Sequence, residues 1–311
     1  VWHPSLGRDG FGPAKSLPAP ADDEKGPRLV RAEGELSIYL ADMCGDGLTD
    51  IVRIRNGEIC YWPNLGYGRF GKKITMDGAP RFDADDQFHP ARIRLVDLDG
   101  TGLTDIVYMG RDGVRLYFNQ SGNRWSAPVR LGEFPLPERL DAVAAVDLLG
   151  TGTACLVWPA SPPGETSPVI RYVELTSGRK PHLLVRSINN IGGETEIAYA
   201  PSTKFYFADQ AAGRPWTTKL PFPVQVVERV EACDRITGHR FVSRYAYHHG
   251  YYDSEEREFR GFAMIESWDA ESWEHADGPD HAPFDQPPVT TRVWYHTGSD
   301  PDPERIVHPL Q

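Results

Sequence analysis

The chain repeats itself, and no other feature limits its fold as much. LADMCGDGLTDIVRI, starting at Leu40, returns as LVDLDGTGLTDIVYM at Leu95, and AVDLLGTGTACLVWP at Ala145 is a weaker third copy. The leading aspartates Asp42, Asp97 and Asp147 lie 55 and 50 residues apart. The stretches after the first two loops match as well: ICYWPNLGYGRFGKKI at Ile59 parallels VRLYFNQSGNRWSAPV at Val114. Asn64 and Asn119 each follow the last aspartate of their loop by 14 residues, and Phe70 and Trp125 lie six residues further on. The opening VWHPSLGRDGFGPAKSL carries the same tail, with Phe11 at the Phe70 position. The chain is therefore expected to begin inside one repeat, run through two more and enter another.

Each repeat reads as short strands around sharp turns. TDIVRI is rich in β-branched residues, RNG is a hairpin turn and EICYWP a second strand, while DGV at Asp112 supplies the matching turn in the next copy. No copy shows a long apolar face of helical period. Four short strands per repeat of this length describe a β-propeller blade, which buries little alone and needs neighbours. Propellers have at least about four blades and this stretch supplies about three, so a partial propeller is expected. Later, VIRYVELT alternates like a strand, and HLLVRSINNIGGETEIAYAPST reads as two strands around a turn. FYFADQAAGRPW has room for one helical turn. The runs starting at Phe222, Arg240 and Arg257 alternate with period two and predict a wide, consecutive antiparallel sheet, turning at DRITGHR. TRVWYHTG reads as one more strand. WPASPPGETSP and HADGPDHAPFDQPPVT read as loops. The expected organisation is all-β: propeller blades over 1–165 and an antiparallel β region over 166–311.

The net charge of −11 argues against a nucleic-acid partner, which needs clustered Lys and Arg. No apolar run reaches the length of a helical membrane span. Cys44, Cys60, Cys155 and Cys233 form no CxxC pair and read as isolated buried thiols. NQS at Asn119 fits a glycosylation sequon, which means little without an export route. GxSxG, HExxH, P-loop and dinucleotide patterns are absent, so no enzyme is expected and no catalytic residue is assigned.

The acidic loops are the one candidate for an ion. Asp97, Asp99 and Asp105, with Thr101 between, offer hard oxygens on a glycine-rich loop of the kind calcium takes. In the first copy Asp42, Asp46 and Asp50 would serve, but Cys44 stands at the Asp99 position. In the third, Asp147 remains while Leu149 and Cys155 replace Asp99 and Asp105. The spacing persists while the ligands decay. That favours turns in which an aspartate accepts backbone N–H bonds, with calcium an alternative for the second loop and no cofactor expected. Tyr61, Trp62, Tyr117 and Phe118 sit in strand-like runs, as core between blades rather than a sugar-stacking surface. His248 and His249 are adjacent on a strand, so they point to opposite faces and read as structural rather than as metal ligands. Gly261 marks a bend or bulge, Arg257 and Arg260 are placed for cross-strand pairing, and Trp216 reads as packed.

The strings GDGLTDIVRIRNGEICYWPNLGYGRFG and DGTGLTDIVYMGRDGVRLYFNQSGNRWS resemble the FG-GAP-type repeats of the SpvB/TcB family, which includes the B component of bacterial insecticidal toxin complexes. YAPSTKFYFADQAAGRPW, LPFPVQVVERVE and RYAYHHGYYDSEEREFRGFAMIESWD resemble the part of those proteins that leads into the Rhs/YD-repeat shell. The resemblance covers nearly the whole chain. It implies a secreted, non-enzymatic protein whose propeller docks on, and gates, the pore-forming A component. The B and C components together would form a shell around the effector of C. The family's self-cleaving aspartates belong to component C, so the resemblance carries no catalytic residue to this chain. A whole B component is several times longer than this chain. The alternative is a carbohydrate- or protein-binding propeller module.

Overall fold

The structure is a computed structural model of the chain. It describes residues 1–6, 9–16, 20, 22–27, 37–131, 142–160, 169–176, 178–254, 256–273 and 289–299, with 270–273 described by backbone alone. They form two compact units, Val1–Leu148 with Thr153–Pro181 and Leu149–Gly152 with His182–Gln311. The boundary expected between 165 and 166 lies outside the described residues, as do 161–168 of one expected loop and 275–288 of the other.

In the first unit each copy of the repeat becomes one antiparallel sheet. β1 (Ile38–Ala41), β2 (Asp50–Arg55), β3 (Glu58–Trp62) and β4 (Ile74–Thr75) pair in chain order. β5 (Ile93–Val96), β6 (Asp105–Gly110) and β7 (Gly113–Tyr117) repeat the pattern. After them β8 (Asn119–Gln120) and β9 (Arg124–Trp125) make a two-stranded ribbon, and β10 (Val129–Arg130) completes the second sheet beside β7. β11 (Ala144–Val146), β12 (Cys155–Ala160) and β13 (Val169–Glu174) form the third. The Asn56–Gly57 turn between β2 and β3 relies on Gly57, whose φ is +83°. Asn56 ties that turn down, accepting from Phe82 N (2.8 Å) and donating to Asp83 O (2.8 Å).

β6 shows why the sheets stack. All six of its residues are buried, as expected of a strand covered on both faces. Successive side chains point to opposite faces. Ile106 and Tyr108 join Val52, Ile54, Ile59 and Tyr61 of the first sheet in one core. Val107 and Met109 join Ala154, Leu156 and Trp158 of the third sheet in another. Phe82 fills the first core, stacked on Tyr108 at 4.8 Å and edge-on to Tyr117 at 5.5 Å. Each such side chain contributes roughly 1.5–3 kcal/mol by leaving water, so the stack of sheets is the main source of stability here.

The second unit is the expected wide sheet. β14 (Arg186–Ile188), β15 (Gly193–Pro201), β16 (Gln225–Asp234), β17 (His239–Asp253), β18 (Glu258–Trp273) and β19 (Val289–Trp294) pair consecutively and antiparallel. No sheet in either unit closes on itself among the described residues. The single helical turn expected near Phe205 is instead a ten-residue helix, α1 (Ser202–Ala211). Its buried face is Ser202, Phe205 and Asp209, two of them polar, so apolar periodicity could not reveal it. Ser202 is held by Val224, its N–H donating to Val224 O (2.8 Å) and its Oγ accepting from Val224 N (3.0 Å).

Two bulges re-aim this sheet. Ala198 pairs with Arg229 and Tyr199 with Val227, which leaves Glu228 as an extra residue on β16. Tyr251 pairs with Gly261 and Tyr252 with Phe259, which leaves Arg260 extra on β18. Gly261 has a φ of +90° there, in line with its reading as a bulge. Arg260 lies 3.5 Å from Asp253 across the pair and 3.0 Å from Glu258. No helix among the described residues is long and apolar enough to cross a membrane.

Candidate functional site

Each acidic loop is a turn braced from inside. In the second copy Asp97 accepts from Gly100 N at Oδ1 (2.7 Å) and from Gly102 N at Oδ2 (2.9 Å). Asp99 accepts from Thr101 N (3.2 Å). In the first copy Asp42 accepts from Gly45 N (2.7 Å) and Gly47 N (2.8 Å), and Asp46 from Leu48 N (2.8 Å). The glycines at both positions have positive φ, between +72° and +86°, a conformation that other residues adopt only at a cost.

The last aspartate of each loop does a different task. Asp105 accepts from Leu98 N (2.9 Å) and from Asn119 N (2.7 Å). Asp50 accepts from Met43 N (3.0 Å) and from Asn64 N (2.8 Å). The 14-residue spacing seen in the sequence is therefore a strut from the start of the second strand of each sheet to the tail after the third. The asparagines extend it. Asn64 Nδ2 donates to Thr49 O (2.9 Å) and its Oδ1 accepts from Gly66 N (2.9 Å). Asn119 Nδ2 donates to Thr104 O (3.2 Å) and also to Met43 O of the preceding copy (2.9 Å), and its Oδ1 accepts from Gly122 N (2.8 Å). Thr104 N donates to Asp42 O (2.9 Å), so neighbouring loops are joined twice. The sequon asparagine is thus buried and its amide fully used.

The tails repeat at the same level. Ser5 bridges Phe11, Asn64 bridges Phe70 and Asn119 pairs with Trp125. Each bridge is closed by one further bond: Gly12 N to Pro4 O (2.8 Å), Gly71 N to Pro63 O (2.8 Å) and Ser126 N to Phe118 O (3.0 Å). The third copy is held differently. Its loop tip, Leu149–Gly152, belongs to the second unit, where Thr203 Oγ1 donates to Gly150 O (2.5 Å) and Gln225 Nε2 to Thr151 O (2.6 Å).

The metal-ligand candidates come together in part. Ligand atoms of Asp97, Asp99 and Asp105 lie within 4.8 Å of one another, as do those of Asp42, Cys44 and Asp50. Asp46, expected in the first group, is not in it. Asp105 is only 1% exposed, and burial, helped by Asp99 and Asp97 beside it, pushes its carboxyl up to about 7. Burial shifts Asp50 in the same direction. The Cys44 thiol is pushed up to about 11, chiefly by desolvation, and a protonated thiol is a poor ligand for a hard cation.

The other candidates are structural. Tyr61, Trp62 and Tyr117 are buried and Phe118 packs against the second core, so none forms a sugar platform. Trp62 Nε1 donates to Asp23 O (2.7 Å). Cys60, Cys155 and Cys233 are buried free thiols, whereas Cys44 is exposed, contrary to expectation, because the Asp42 turn lifts it out of the sheet. His248 is buried, with Nδ1 2.6 Å from Asp209 Oδ2 and Nε2 3.6 Å from Glu266 Oε2. Trp216 Nε1 donates to the same Asp209 oxygen (2.8 Å), and its ring packs edge-on against Tyr206 and Phe262. The pair braces α1 against β17. His249 has a φ of +56°, which breaks strict alternation, and its Nδ1 accepts from Thr217 N (3.2 Å). Burial, with His248 alongside, holds its pKa below the usual value. Sequence reasoning missed Asp209 as the partner of His248, since the two are 39 residues apart and share no motif.

Short antiparallel sheets stacked in chain order define a mostly β protein built on a repeat. Residues 136–298 match the family described as Insecticide toxin TcdB middle/N-terminal region. A Photorhabdus luminescens Tc holotoxin pore is 30% identical over 99% of this chain and 14% of its own, with a TM-score of 0.79. TcdB2-TccC3 without its hypervariable C-terminal region is 32% identical over 87% of this chain and 12% of its own, with a TM-score of 0.74. TcdB2-TccC3-Cdc42 gives 32%, 85% and 12%, with a TM-score of 0.73. No curated protein matches. The chain belongs to the TcdB family of insecticide toxins and corresponds to a region of the Tc toxin B component. It spans 12–14% of the length of the matched chains.

Proposed function

We propose that this chain is a structural, non-catalytic part of a secreted toxin complex. In this reading the three stacked sheets are an arc of propeller blades that docks on the pore-forming A component and gates it. The wide sheet of the second unit contributes to the shell that, with component C, encloses an effector. The observation that carries the proposal is the likeness to the Tc holotoxin pore over 99% of the chain. Blade-like order within each sheet, two apolar cores between successive sheets and matched tails support the propeller. The use of Asp209 to hold His248 and Trp216 together, and of the loop carboxylates as backbone acceptors, supports a role without bond chemistry or a resident cation.

The test is assembly. The full-length parent protein, mixed with A and C components from the same toxin system, should co-elute with both on size exclusion, and its complex with C should protect the effector from protease. Folded components that fail to associate would overturn the docking role. Calorimetric titration with calcium tests the cation-free loops. Binding lost in both Asp97→Ala and Asp105→Ala would replace the brace reading with an ion site.

A further inference from the structure

The second unit holds an open cavity of about 1000 Å³ on the face of its sheet, beside α1. Its floor is a cross-strand row. Ala198 of β15 pairs with Arg229 of β16, Arg229 with Arg244 of β17, and Arg244 with Trp268 of β18. Residues directly opposite one another share a face, so two guanidinium groups and an indole lie side by side. Arg240 and Val242, further along β17, line the same cavity.

Two like charges placed directly opposite destabilise a sheet, and the structure only partly relieves them. Glu231 pairs with both Arg229 and Arg240. Glu228, turned onto this face as the extra residue of the bulge, is taken by Lys204 of α1. Arg244 is exposed, and its side chain has no ion pair or hydrogen bond among the described residues. Three arginines and one glutamate line the cavity itself, a local excess of positive charge in a chain whose net charge is −11, although Glu231 and its cross-strand neighbour Glu196 share that face. The surroundings are apolar: Ala198, Phe205, Val242 and Ala246. A guanidinium in such a setting favours a carboxylate, which it grips with two parallel hydrogen bonds.

The spacing narrows the ligand. Arg240, Val242 and Arg244 alternate along β17. The two arginines are therefore roughly 13 Å apart with an apolar residue midway. An extended peptide has the same repeat, so carboxylates at positions i and i+4 flanking an apolar residue at i+2 would face all three. We propose that this cavity binds an extended acidic peptide segment of a partner protein, with its acidic residues four apart and an apolar or aromatic one between them. Arg244, flanked by Trp268, is the principal anchor and Val242 faces the apolar side chain. The inference does not depend on the toxin-complex reading.

Fluorescence anisotropy of the full chain with labelled peptides tests it. A peptide with two glutamates four apart and a leucine midway should bind at least about tenfold more tightly than an isomer with adjacent glutamates, and weaken with salt. Arg244→Glu should abolish binding and Arg244→Lys should weaken it about tenfold, since an ammonium cannot make the two parallel bonds. An unchanged circular dichroism spectrum and melting midpoint for both would show that the sheet is intact. Equal binding of the two isomers, undiminished binding by Arg244→Glu, or no binding by the wild type would overturn the proposal. So would complete competition by free glutarate at the peptide's own concentration, which would mark a small-acid site instead.

Discussion

The two units are built from the same kinds of residue but hold themselves together in opposite ways. The first buries apolar side chains on both faces of its middle sheet, and its loops are tied by short-range bonds from aspartate and asparagine. The second has longer strands but few fully buried apolar residues. Glu194, Ser202, Asp209, Glu231, Ser243 and His248 are buried in it instead. Stacked short sheets cover one another, so transfer of apolar area from water dominates. A single wide sheet covered in part by one helix must satisfy buried polar groups pair by pair, and each lost partner is costly.

That contrast can be broken most severely in the first core. Phe82→Ala should cost about 4 kcal/mol, as large-to-small changes of fully buried aromatics do, while Phe241→Ala in the second unit, at a site 44% exposed, should cost under about 1 kcal/mol. Urea unfolding of both variants checks this, and equal losses would refute a difference in packing. Next, Asp209→Ala should cost about 3 kcal/mol by leaving Trp216 Nε1 and His248 without their shared acceptor. Hydrogen exchange should rise in α1 and β17 while β6 stays protected. Faster exchange in β6 would show that the polar brace also supports the apolar stack.

Proton linkage separates the units further. In the folded state Asp105 titrates near 7, whereas in an unfolded chain it would titrate near about 4. Between those values only the folded state holds the proton. Its contribution to stability is therefore full below about 4, declines as pH rises and is lost above about 7. Melting midpoints of the wild type should fall from pH 5 to pH 8, and Asp105→Asn should flatten that dependence. A slope unchanged by the substitution would assign it to other groups. The smallest effect compares the two asparagine joints. Asn119→Ala should cost about 2 kcal/mol and Asn64→Ala about 1, because only Asn119 also bonds the preceding loop at Met43 O. Equal costs in thermal denaturation would show that the inter-repeat bond adds nothing.

The repeat was legible because its determinants are local. Gly100 and Gly102 must turn, Asp97 must accept their N–H groups, and Asn119 must follow Asp105 at the length of one hairpin. Alternation along β16, β17 and β18 likewise announced a consecutive sheet. The exposure of Cys44 was not legible, since its loop is lifted by bonds rather than by hydrophobicity. Nor was α1, whose buried face is mostly polar.

The sequence by itself determined the predominance of β structure, the repeat, the turns and the order of the strands, because each depends on residues close together in the chain. Tertiary structure alone decided which distant residues meet. The bulge at Glu228 set the register that puts Ala198 opposite Arg229 and brought Glu228 to the cavity, and the seating of α1 brought Asp209 to His248. Cross-strand register and helix docking are settled by packing across the whole sheet, and a one-residue slip would send the same side chains to the other face.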